Sequence, residues 1–142
     1  MKISEIMSKD VISLSVEDTV ERAAMLMKEH NIGSIPVRSE DKVVGIITDR
    51  DIITRCVAEG SDMKIQRVRE IMTSNPVLAD INIKVEDATR IMSERQIRRL
   101  PIVSNNELVG MISLGDFAVE PNLHKEASEA LSEISIPCIH NI

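Results

Sequence analysis

The chain has 142 residues, 43% of them hydrophobic, with a formal net charge of −6, two cysteines, a single Phe and neither Trp nor Tyr. That length suits one domain or two small joined ones and can bury an aliphatic core without covalent staples. The acidic balance and the lack of aromatic stacking platforms argue against nucleic acid and anionic membranes as partners.

Cys56 and Cys138 form no paired motif, which favours a reducing compartment. The N-terminus lacks a signal-peptide apolar run, and no stretch approaches 18 apolar residues. A soluble cytoplasmic chain is expected.

In chain order, a short helical start over 3–8 leads into an extended run over 11–14. A helix follows, with Val20, Ala23, Ala24 and Met27 on one face. Ser15, with Asp18 three residues on, is its expected cap. Two short strands over 34–38 and 43–48 are joined as a hairpin by the polar turn 39–42. A helix over about 49–59 then stops near Gly60. After a linker at about 61–67 the same order returns: helical start 68–73, extended run 76–79, and a helix carrying Val85, Ala88 and Met92. Strands over 99–103 and 108–113 follow, with a last helix cut short by Pro121. In the tail, Ala127, Ala130, Leu131 and Ile134 have helical spacing, as on an amphipathic helix packed on its own module or on a partner.

The return is a duplication. Shifted by 65 positions, residues 3–55 align without a gap on 68–120, with 15 identities in 53 pairs. Among them are Met7/Met72, Pro36/Pro101, Gly45/Gly110 and Asp51/Asp116. The period exceeds that of the common solenoids, so two copies suggest a pseudo-twofold module. The boundaries read 1–60 for the first repeat, 61–67 for the linker, 68–121 for the second repeat and 122–142 for the C-terminal helix and tail. The fold class is α/β in the α+β sense: two β-α-β-β-α repeats, each small for an independent core, packed with pseudo-twofold symmetry through their sheets.

One motif recurs at the start of each repeat's last helix, as Gly45-Ile-Ile-Thr48-Asp-Arg-Asp51 and Gly110-Met-Ile-Ser113-Leu-Gly-Asp116. An apolar-Pro-apolar strand precedes each hairpin, Ile35-Pro36-Val37 and Leu100-Pro101-Ile102. Hydroxyl-x-x-Asp fits a capping box, in which hydroxyl and carboxylate bond backbone N–H groups reciprocally. The same geometry suits a nucleotide, with phosphate at the helix start and a carboxylate on a ribose diol. On the residues alone both readings stand.

Duplication, element order and motif together resemble a tandem CBS-domain pair, the Bateman module, here as a stand-alone CBS-domain protein; the resemblance covers residues 3–120. It implies a regulatory, non-catalytic module that binds an adenine nucleotide (AMP, ADP or ATP) or a relative such as NAD or S-adenosylmethionine in clefts shared by the two repeats. It also implies a homodimer and an unidentified regulated protein. One expected site combines Ile46, Thr48 and Asp51 with Pro76, Val77, Arg98, Arg99 and Pro101. A second, weaker one combines Val11, Ile12, Gly33, Ser34 and Pro36 with Met111, Ser113 and Asp116.

Three arginines, Arg95, Arg98 and Arg99, stand where the first repeat has His30, Gly33 and Ser34. Such a run is either a solvated face paired with glutamates such as Glu94 or a phosphate contact, which planar guanidinium suits. In the second motif Leu114-Gly115 replaces Asp49-Arg50, which weakens the expectation for the second site.

No glycine-rich phosphate loop is present. Cys138 and His140 supply too few ligands for a structural metal site. Cys56 reads as a small buried hydrophobe, and Met25, Met27, Met72 and Met92 read as core. No catalytic residue, metal or cofactor is expected. The alternative function is a dimerisation or interaction scaffold whose clefts stay empty.

Overall fold

The computed structural model describes residues 1–137. Its elements are α1 (Ile3–Ile6), β1 (Leu14–Ser15), α2 (Val20–His30), β2 (Ser34–Ser39), β3 (Lys42–Thr48), α3 (Asp49–Ile52), α4 (Val68–Ile71), β4 (Thr73–Ser74), β5 (Ala79–Asp80), α5 (Val85–Arg95), β6 (Arg99–Ser104), β7 (Glu107–Ser113), α6 (Leu114–Ala118) and α7 (His124–Ile134). A π-helical turn, Ile53–Val57, extends α3, and a 3-10 turn, Pro121–Leu123, leads into α7. The class is α+β, and both repeats carry the elements in the same order except for β4, whose equivalent in the first repeat is the isolated bridge of Ser8 with Met111.

The chain forms two compact units. The first is Val11–Val77 with Asn106–Leu108; the second is Met1–Asp10, Leu78–Asn105 and the described residues from Val109 on. The leading segment of the first repeat therefore folds into the second unit, and that of the second repeat into the first.

In the first unit β1 runs parallel to β2, β2 pairs antiparallel with β3, and β3 pairs with β4. The core gathers Leu14, Val20, Ala23, Leu26, Met27, Ile35, Val37, Ile47, Ile52, Cys56, Val68 and Ile71. In the second unit β5 runs parallel to β6, and β6 neighbours β7. Its buried side chains include Ile3, Val85, Ala88, Met92, Leu100, Ile102, Ile112 and Phe117.

Local chemistry sets the boundaries. The α2 cap is Thr19, whose Oγ1 accepts from Arg22 N at 3.2 Å, and not the expected Ser15. Asp18 instead takes Ser15 N at 2.8 Å in the preceding turn, so the expected pair bonds one turn too early to cap. Helices α2 and α5 both end on left-handed residues, Asn31 (φ 52°) and Gln96 (φ 53°), which stop the helix as a C-cap does. Left-handed Asn105 and Asn106 close the β6–β7 hairpin, as a two-residue primed turn demands.

Three further expectations change in detail. The helix over 49–59 is α-helical only to Ile52. The extended runs shrink to the two-residue strands β1 and β5. Met25 is 56% exposed rather than core. The stretch 61–67 is pinned to the start of α2, where Val20 N donates to Gln66 O and Glu21 N to Met63 O. Cys56 is buried and free, as expected. Cys138 and His140 lie outside the described residues.

Gly45 and Gly110 explain one fixed position of the repeated motif. A Cβ on Gly45 would stand 2.9 Å from Met72 Cγ, and one on Gly110 3.0 Å from Met7 Cγ. Each glycine makes room for the methionine that ends a leading segment. The contact is sealed by backbone pairing, Ser8 with Met111 in the second unit and Thr73 with Ile46 in the first.

Candidate functional site

Both hydroxyl-x-x-Asp motifs form full capping boxes. Asp51 N donates to Thr48 Oγ1 at 3.1 Å, and Thr48 N donates to Asp51 Oδ2 at 3.0 Å. Asp116 N donates to Ser113 Oγ at 3.2 Å, and Ser113 N to Asp116 Oδ2 at 2.7 Å. The capping role is therefore present in each copy, and it occupies one oxygen of each carboxylate. The other oxygen of Asp51 faces Arg55 Nε at 3.8 Å, whereas Oδ1 of Asp116 has no partner among the described residues.

Each motif is drawn onto the strand beside it. In the first unit Asp49 N donates to Gly33 O at 3.0 Å, Ser34 pairs with Thr48, and Pro36 pairs with Ile46. Pro36 is buried, Ile12 packs against the core, and Val11, Pro76 and Val77 are half-buried. In the second unit the equivalent bond runs from Leu114 N to Arg98 O at 2.9 Å. Pro101 in β6 and Met111 in β7 are buried there.

Equivalent backbones carry opposite charge. Around Gly33 in the first unit stand Ser34 and the Asp49 carboxylate, which would lie 3.0 Å from a Cβ on Gly33. Their counterparts in the second unit are Arg98, Arg99 and the neutral Leu114.

Arg98, Arg99 and Ser113 line one cavity of about 660 Å³ in the second unit, with Leu114, Gly115 and Ala118 of α6 and with His124, Ala127, Ser128 and Leu131 of α7. The volume falls in the range of small-molecule sites. Neither arginine has an ion-pair partner among the described residues, so the pairing with Glu94 that would make them a solvated, ion-paired face is not formed there. No carboxylate lines this cavity. The cavity draws Arg98 and Arg99 from one expected residue set and Ser113 from the other. Thr48, Asp51 and Ile46 belong to the first unit.

Sequence reasoning missed Leu114, Gly115, His124 and Ser128. The spacing of Ala127 and Leu131 marked a helix face, and His124 and Ser128 fall on that same face at i, i+3, i+4 and i+7. What the face meets was not written in the spacing. A second cavity of about 420 Å³ lies along α5 and is lined by Glu86, Thr89, Arg90, Ser93, Glu126, Glu129 and Glu133. Among the described residues no group of three or more His, Cys, Asp or Glu is placed to hold a metal ion, and no helix is long and apolar enough to cross a membrane.

The family profile described as CBS domain matches residues 3–58 and 68–120. The CBS domain-containing protein YhcV of Bacillus subtilis is 42% identical over 138 residues, 97% of this chain and 98% of that one. Hypoxic response protein 1 of Mycobacterium tuberculosis is 32% identical over 115 residues, 80% of each chain. A solved CBS domain protein from Pyrobaculum aerophilum, complexed with AMP, superposes with a TM-score of 0.79 at 25% identity, covering 90% of this chain and 98% of its own.

Proposed function

Because this chain belongs to the CBS-domain family and carries a pair of CBS domains, a regulatory module, we propose that it senses an adenine nucleotide or a related adenosyl metabolite. Arg98 and Arg99 hold the phosphate, and the Ser113 hydroxyl, which lines the same cavity, is offered to the sugar. The observation that carries this reading is the cavity of about 660 Å³ in which two unpaired arginines, a serine and apolar side chains converge without a carboxylate. Both guanidinium groups are exposed and unpaired among the described residues, so they are available to an incoming anion. Bidentate guanidinium contact is the fitting chemistry for phosphate. The AMP bound by the Pyrobaculum relative supports the choice of ligand class.

The test is thermal unfolding of the wild type and of Arg99→Ala with AMP, ADP, ATP, NAD and S-adenosylmethionine. A bound ligand at 100 times its dissociation constant adds about 2.7 kcal/mol of stability. Losing one hydrogen bond to a charged group costs about 1.5–3 kcal/mol, so Arg99→Ala is expected to weaken binding about 10- to 150-fold. No shift with any of the five would leave the scaffold reading in its place.

A further inference from the structure

We propose that α7, which lies outside both repeats, is a ligand-contacting wall of this cavity, with His124 as a further anion-binding residue and Ser128 and Leu131 setting the size of the ligand. The proposal rests on the preceding reading that the cavity takes a nucleotide, and extends it to a segment that the family match at 68–120 does not include.

Four observations carry it. First, the α7 residues that line the cavity, His124, Ala127, Ser128 and Leu131, form a single helical face, and the helix is long enough, at 11 residues, to present two turns of it. Second, α7 is seated by buried Ala127 and Ala130, yet Leu131 on the same face remains 47% exposed. Packing within the chain leaves this large apolar side chain uncovered beside the arginines, where a base or sugar would cover it.

Third, the charge of α7 is sorted. Glu126, Glu129 and Glu133 line the other cavity, while His124 is the one titratable side chain that α7 gives to the arginine side. A carboxylate on that face would repel a phosphate, and none is there. Fourth, α7 is tied to the arginine segment itself. Gln96 Nε2 donates to Glu133 O at 2.9 Å and to Ile136 O at 3.1 Å, so the residue two before Arg98 holds the end of α7. A ligand drawn onto Arg98 and Arg99 thus bears on α7 directly and through Gln96, which makes the position of α7 the readout of occupancy.

The experiment follows amide hydrogen exchange of the full chain with and without saturating AMP, together with calorimetric titration of His124→Gln and Ser128→Trp. His124 and Ser128 are exposed, so neither change disturbs the core. Slowed exchange is expected over 124–134 as well as around residues 98–99 and 113–118. His124→Gln is expected to weaken AMP by about 10-fold while leaving adenosine, which has no phosphate, within about 2-fold. Ser128→Trp fills the cavity and is expected to weaken both ligands by more than about 10-fold.

AMP binding that depends on Arg99 but leaves exchange over 124–134 unchanged, with both variants titrating like wild type, overturns the role of α7 and leaves the nucleotide reading standing. A wild type that takes up no AMP in calorimetry overturns the nucleotide reading for this ligand and this inference together.

Discussion

At the scale of single residues, Ser113 and Thr48 each accept a hydrogen bond from the backbone N–H three residues on. An alanine there leaves an orphan donor at the helix start, whereas a glycine lets water reach it. Ser113→Ala is therefore expected to cost about 1 kcal/mol of stability, and Ser113→Gly only a few tenths. Calorimetric melting of the two variants checks this; equal losses would mean that the hydroxyl is not capping. The carboxylates divide differently. Asp51 sits near Arg55, but the free oxygen of Asp116 has no such partner among the described residues. The aspartate that follows the arginine segment in the chain is thus the one with capacity to spare.

At the scale of elements, the leading segments α1 and α4 each reach a glycine in a central strand. Gly110 accommodates Met7 and Gly45 accommodates Met72, and a Cβ at either glycine would press on the methionine's Sδ, Cγ and Cε together. Gly110→Ala is expected to lose about 1–3 kcal/mol through overpacking. Combining it with Met7→Ala is expected to cost less than the sum of the two single changes, because the smaller side chain relieves the crowding that the larger one suffers. Urea unfolding of the four proteins in this cycle measures the coupling; strict additivity would show that the two side chains do not share that space. The same reasoning explains why the fingerprint begins with glycine: the strand needs a gap there, not a flexible backbone.

At the scale of the whole molecule, duplication produced two copies of one backbone and later substitution made them electrically unlike. Arg98, Arg99 and Leu114 stand where the first repeat has Gly33, Ser34 and Asp49, and α7 follows only the second repeat. On the proposed function, one strong anion site per chain is expected. Titration with AMP is expected to give a single tight equivalent, whose affinity falls as salt rises, since solvent-open charges are screened beyond about 10 Å at 0.1 M. Two equal equivalents would contradict the asymmetry.

The sequence by itself determined the duplication, most of the order of elements in each copy and the position of the two hydroxyl-x-x-Asp motifs, because these depend on periodicity and on neighbours a few residues apart. Cys56, Met27 and Met92 were legible as core for the same reason, since one helical face recurs at fixed spacing. Met25 was not, because spacing marks a face without saying how wide it is. The true cap of α2, Thr19, was misplaced by one turn, since Ser15 and Asp18 satisfy each other locally. Only the tertiary structure decided that each leading segment folds with the opposite repeat's strands, and that Arg98, Arg99 and Ser113 share a cavity with His124 and Leu131. Those facts depend on contacts between segments far apart in the chain, and no local pattern records which face meets which.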